Sequence, residues 1–174
     1  MDAEMKRFIA NTSVGASALR RMVAQGGVAI ARKYLAGIDL EKLDPKTFQA
    51  ALNRHTTQLA KKLRPARRGN STWGPARKVL NLYFRGATYN AYLRSRYHLD
   101  RIEKLLEIPL DSYSARHIRE DCETYKIACN IPPWNGVVGV TRESNADYQT
   151  AANCVAEHKG FSARVHLDIF YWRN

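Results

Sequence analysis

The sequence predicts a single all-α domain, and three observations carry that reading. Apolar residues recur at three- and four-residue spacing in one segment after another; most of these runs are bounded by a capping side chain, a Gly or a Pro; and Val137-Val138-Gly139-Val140 is the only convincing β-like piece. One strand makes no sheet. At 174 residues the chain is long enough for one real core and short for two, so residues 1–174 are read as one compact multi-helix unit.

Thr12 or Ser13 can cap a first helix through Leu19, Met22 and Val23, interrupted at Gly26-Gly27. A short segment with Val28, Ile30 and Leu35 follows and stops at Gly37. Asp44-Pro45 reads as an N-cap and a first helical Pro, and Phe48, Ala51, Leu52, His55, Leu59 and Leu63 then repeat at helical spacing. The stretch RPARRGNST ends that helix and forms a loop whose arginines, Arg67 and Arg68 among them, phosphates can contact.

Gly74-Pro75 opens the next helix. Val79, Leu80, Tyr83, Phe84, Ala87 and Ala91 make its apolar stripe, while Lys78, Asn81, Arg85, Tyr89, Tyr92 and Arg96 fall on another face. That second face alternates cations with phenol rings, a pairing that holds phosphates and stacks bases; neighbouring helices burying the tyrosines is the plainer alternative. Leu99 to Leu106 forms a short helix, Ile108-Pro109 bends the chain, and Asp111 stands ready to cap a helix from Ser112 to about Cys129. After the turn-rich Ile131 to Gly136, Ser144 or Asn145 caps a helix through Val155 that ends at Gly160. The tail RVHLDIFYWR fits helix or strand.

The charge is concentrated. Between Asp44 and Asp100 there is no acidic residue and there are twelve Lys and Arg, whereas the rest of the chain carries sixteen of each sign. The net charge of +12 is therefore a patch. Such a block repels itself unless a polyanion lies against it, which points to nucleic acid, with a solubilising surface as the alternative. DNA is the expected partner, with RNA open. No apolar run approaches a bilayer span and the N-terminus has no apolar signal core, so no membrane association and a cytoplasmic or nucleoid-associated location are expected. Cys122, Cys129 and Cys154 lack metal-site spacing and the five histidines do not cluster, so neither metal, cofactor nor disulfide is expected. There is no Gly-x-Ser-x-Gly elbow and no phosphate-binding Gly-rich loop. The candidate chemistry rests on Lys, Asp and Tyr.

Two segments stand out together: Gly74-Pro75-Ala76-Arg77-Lys78-Val79-Leu80-Asn81 and Pro109-Leu110-Asp111-Ser112-Tyr113. They resemble the active-site signature of the helix-hairpin-helix DNA glycosylases, in which a Gly-x-Gly-Arg-Lys-x-x-Asn turn presents a lysine and a later Val-Asp segment presents an aspartate at a helix start. Gly74, Arg77, Lys78 and Asn81 match the first element, and Leu110, Asp111 and Ser112 approximate the second. The hairpin itself reads Ser71 to Ala76 and the iron–sulfur cysteines are absent; the archaeal 8-oxoguanine branch is similar in its long lysine-to-aspartate interval and lack of a cluster.

The resemblance implies a helix-hairpin-helix glycosylase-like fold and excision of a damaged or modified base, with abasic-site lyase activity. It casts Lys78 as nucleophile and Asp111 as the carboxylate that stabilises positive charge on the sugar. Arg67, Arg68, Trp73, Gly74, Arg77, Arg85, Tyr89, Tyr92 and Arg96 are the candidate nucleic-acid contacts. The alternative is a non-catalytic nucleic-acid-binding module in which Lys78 is one more phosphate contact and Asp111 only a cap. Trp134 and Trp172 read as packing residues.

Overall fold

A computed structural model describes the backbone of residues 1–173 and the side chains of residues 1–172. The protein is all-α. Helices α1 (Asp2–Ser13), α2 (Gly27–Ala36), α3 (Phe48–Lys62), α4 (Trp73–Tyr89) and α5 (Ala91–Tyr97) precede α6 (Ser112–Thr124), α7 (Arg142–His158) and α8 (His166–Arg173), with 3-10 turns at Leu40–Lys42, Leu99–Leu105 and Val137–Gly139. The one extended pairing among the described residues is an isolated antiparallel bridge between Val23 and Pro65. No helix among them is long and apolar enough to cross a membrane.

Several boundaries differ from expectation, each for a local reason. The first helix ends where the sequence predicted a beginning: the Thr12 hydroxyl donates back to the carbonyl of Phe8, 3.0 Å away, so it closes the last turn of α1. Leu19 is buried from a turn region. Asp44 caps only a turn, accepting from the Lys46 amide at 2.8 Å, and α3 starts three residues after Pro45. The long helix after Gly74 breaks at Asn90, whose backbone is extended and whose side chain accepts from the Leu93 amide at 2.9 Å to start α5. Helix α6 stops at Thr124, short of Cys129. Thr141, not Ser144 or Asn145, caps α7 through a reciprocal capping box with Ser144. Val137 to Gly139 is a 3-10 turn with no strand to pair with, and the tail is helical.

Helix α4 is the axis of the fold; its residues from Gly74 to Asn81 are all buried. It packs against α1, α2 and α3 around Phe48, Leu52, Tyr83 and Phe84, which form the centre of the larger core. A second cluster joins α6, α7 and α8 through Ile118, Tyr148, Val155 and Leu167. The chain passes from one to the other between Leu106, which belongs to the first, and Ile108, which belongs to the second. Glu107 stands at that crossing, four residues before Asp111.

Candidate functional site

Lys78 and Asp111 meet. They arrive from different elements, and the Lys78 Nζ lies 3.3 Å from Asp111 Oδ2, with side chains 10% and 22% exposed. Lys78 sits in the second turn of α4, where Pro75 occupies a first-turn position whose missing amide hydrogen costs no helical bond. Gly74 is needed for another reason: a Cβ there would stand 1.9 Å from the Val137 carbonyl oxygen, so only glycine lets the 3-10 turn press onto the start of α4.

Asp111 divides its two oxygens between tasks. Oδ1 accepts from the Tyr113 and Ser114 amides, both at 3.0 Å, while the Ser114 hydroxyl accepts from the Asp111 amide at 2.9 Å. Oδ2 is left facing Lys78. One residue thus both caps its helix and holds the ion pair.

The pair opens into a cleft of about 610 Å³. Lys78, Leu82 and Arg85, at helical spacing on α4, form one wall, the end of α1 and the turn to Ala18 a second, and Asp168, Ile169 and Trp172 of α8 a third. Arg85 and the buried Asp168 form a direct ion pair across it. Burial pulls Arg85 below its ordinary value, opposed by the charges of Tyr89 and Asp111. Trp172 is 66% exposed at the rim. Its ring is tilted over Tyr113 at 5.2 Å, and the Tyr113 hydroxyl donates to the Tyr171 carbonyl at 2.9 Å, which ties α8 to the helix that Asp111 starts.

Behind the site is a buried clamp that sequence reasoning missed. Glu107 accepts from Arg77 Nη2 at 2.7 Å and Nε at 2.8 Å, from Asn145 Nδ2 at 3.1 Å, and from Asn81 Nδ2 and Gln49 Nε2 at 3.2 Å. Arg77 Nη1 donates in turn to Asn53 and Thr56, both at 3.0 Å. Burial raises the Glu107 carboxyl, but the hydrogen bonds and charge of Arg77, with Asn145 and Arg164, more than offset it and hold it below the ordinary carboxylate range. The clamp locks the neighbours of Lys78 on α4 to the segment leading to Asp111, and both to α3 and α7.

This corrects the placement of two expected surface contacts. Arg77 is 3% exposed, with four of its five N–H donors bonded to Glu107, Asn53 and Thr56, and Gly74 is buried under Val137; neither faces solvent. The remaining candidates disperse, Tyr92 and Arg96 because the helix breaks at Asn90 before them. Tyr89 donates or accepts at His166 Nδ1, 2.6 Å away, and stacks on that ring. Tyr92 and Arg96 turn to the start of α1, Tyr92 bonding Asp2 and Arg96 Nε lying 3.4 Å from its carboxylate. Trp73 is half-buried with the Arg77 guanidinium 5.5 Å over its ring, and Arg67 and Arg68 are exposed on the loop before α4. Of the expected residues, only Lys78, Asp111 and Arg85 share the cleft. Asp168 and Trp172 were not among them, although their four-residue spacing places both on one face once the tail is helical.

Among the described residues no group of three or more His, Cys, Asp or Glu is arranged to hold a metal ion. No protein-family model, curated protein or solved structure matches this chain.

Proposed function

We propose that the protein is a DNA N-glycosylase with abasic-site lyase activity, in which Lys78 attacks the sugar and Asp111 assists. The observation that carries the reading is the 3.3 Å approach of Lys78 Nζ to Asp111 Oδ2 at the wall of a 610 Å³ cleft. That volume lies within the ~300–1,000 Å³ usual for ligand sites.

The chemistry follows from the geometry. Cleaving an N-glycosidic bond builds positive charge on the sugar, and a carboxylate beside that carbon lowers the barrier. Asp111 Oδ2 takes a proton from Lys78 and sheds it to water, remaining a carboxylate beside the charged sugar; the freed amine lone pair forms the N–C1′ bond as the C1′–base bond breaks, and the base leaves with its electron pair and takes a proton from solvent. Transfer of a proton from the nitrogen to O4′ opens the ring to the Schiff base, and loss of a C2′ proton to water then expels the 3′ phosphate with its electron pair. To reach the sugar the nucleotide must leave the duplex, at a cost of a few kcal/mol. Trp172 offers an exposed face on which a flipped base stacks, and the Arg85–Asp168 pair offers a donor and an acceptor to its edge. Five of the twelve cations between 45 and 99, Arg77, Lys78, Arg85, Arg94 and Arg96, are paired with carboxylates from outside that segment, so the sequence-independent attraction to the backbone rests on exposed cations such as Arg67 and Arg68. Those same features favour the second reading, a module that binds nucleic acid and breaks no bond.

Product analysis on duplexes carrying a panel of modified bases tests the proposal. Wild type is expected to release one of the bases and nick the strand. Asp111→Asn retains a capping oxygen but leaves the buried Lys78 without its carboxylate, so it is expected to fold with a lower Tm, to bind duplex and to release no base. Intact bases across the panel would move the conclusion to the binding module.

A further inference from the structure

We propose that Cys122 and Cys129 form a reversible disulfide that staples the connector 125–136 to the end of α6. All three cysteines are free thiols here, but these two are far from independent. After Thr124 the chain reverses: Lys126 takes a positive φ of 54° and the Ile127 amide bonds the Cys122 carbonyl at 2.9 Å. This tight return sets the two sulfurs 3.0 Å apart, inside ordinary van der Waals contact for unbonded sulfur. Reaching the ~2.05 Å of a bond needs a movement of only about 1 Å.

The surroundings suit thiol exchange better than metal binding. Cys154 of α7 is close enough for its charge to act on Cys122 and for that of Cys129 to act on it, yet the three do not converge as a metal site among the described residues. A cleft of about 150 Å³ bordered by Arg119, Glu123 and Ile127 leads to Cys122 and Cys129. Cys129 is half-buried and Cys122 buried, so an oxidant meets Cys129 first. Burial, then the hydrogen bond and charge of Cys129, push the Cys122 thiol up to about 12, so Cys122 is not the thiol that attacks first. With a low-molecular-weight disulfide as oxidant, the Cys129 thiolate attacks one sulfur and expels a thiolate. Cys122, losing its proton, then displaces the other half, so two thiols are oxidised and one disulfide is reduced to two thiols.

The connector also reaches the other end of α6. Arg119 Nη2 donates to the Pro132 carbonyl at 2.8 Å, and Trp134 Nε1 donates to Ser112 Oγ at 3.1 Å, next to Asp111. A bond at the far end therefore constrains a segment packed along the helix that presents Asp111. This inference does not depend on the reaction catalysed.

The full chain is equilibrated in glutathione buffers from reducing to oxidising, acid-quenched, alkylated and analysed by intact mass and peptide mapping, with thermal melts alongside. The expected result is a single Cys122–Cys129 disulfide at the oxidising end, reversed by reduction, with Tm higher by about 5–10 °C for a loop this short. Cys129→Ser, at a half-buried position, should melt like reduced wild type and show no oxidative gain; Cys154→Ser should keep it. Three alkylated cysteines in every buffer, a bond to Cys154, or a bond without a rise in Tm would overturn the proposal.

Discussion

Replacing Glu107 by Gln removes a charge that five donor contacts converge on. Both Glu107 and Arg77 are 3% exposed, so the arginine left behind has no water to turn to. Breaking one partner of a buried pair costs about 3–5 kcal/mol, and because Gln keeps the volume and one acceptor oxygen the lower end applies, about 3 kcal/mol. For a chain of this size that is a fall in Tm of about 6–12 °C, read by circular dichroism or calorimetry. The pH dependence gives a second readout. A carboxyl held below its ordinary value of 4.5 contributes stability that is complete above that value and lost as pH falls through the lowered one. Wild type should therefore lose stability on acidification below about pH 4.5 more steeply than Glu107→Gln. Glu107→Leu with Arg77→Met removes both charges but strips the buried Asn81 and Asn145 amides of their acceptor, so it should not recover the loss. A single-variant loss under about 1 kcal/mol would refute the reasoning, because an unpaired buried guanidinium cannot be that cheap.

Gly74→Ala should destabilise by about 3 kcal/mol in urea unfolding, since the 1.9 Å contact is with backbone that cannot swing aside. Trp172→Ala should leave stability within about 0.5 kcal/mol, the ring being 66% exposed, yet weaken binding to duplex with a flipped or missing base by about 1–3 kcal/mol in titrations. Arg67→Ala with Arg68→Ala should reduce the slope of log affinity against log salt by about 1.8 on any duplex if both touch phosphates, whereas Arg77→Lys should act through stability.

Periodicity and caps made the all-α class legible: the stripe from Phe48 onward is α3, though it starts three residues after Pro45, and Asp111 caps the helix expected after it, though that helix ends at Thr124 and not near Cys129. The errors have physical causes. Thr12 has a hydroxyl that closes a helix as readily as it opens one. Asn90 capped α5 in the middle of an unbroken helical pattern, which scattered a face that looked continuous. Val137 to Val140 had strand-like residues but no neighbour to pair with.

Within the site, the approach of Lys78 to Asp111 was suggested only by resemblance, since 33 residues separate them and no local rule sets that distance. Glu107 sat unremarked in the sequence because its value lies in where the chain crosses between two cores. Arg77 looked like a surface cation because nothing in a basic run marks the members, Arg77 and Arg85, that have buried carboxylate partners. Asp168 belonged to a tail whose periodicity allowed either helix or strand.

Borohydride trapping on duplex DNA with an abasic site is the most direct measurement, followed by mapping of the cross-linked peptide. The account predicts a covalent protein–DNA complex attached through Lys78, abolished by Lys78→Ala and sharply reduced by Asp111→Asn. A complex through another lysine, or none from protein that binds the same duplex, would contradict the assignment of Lys78 as nucleophile.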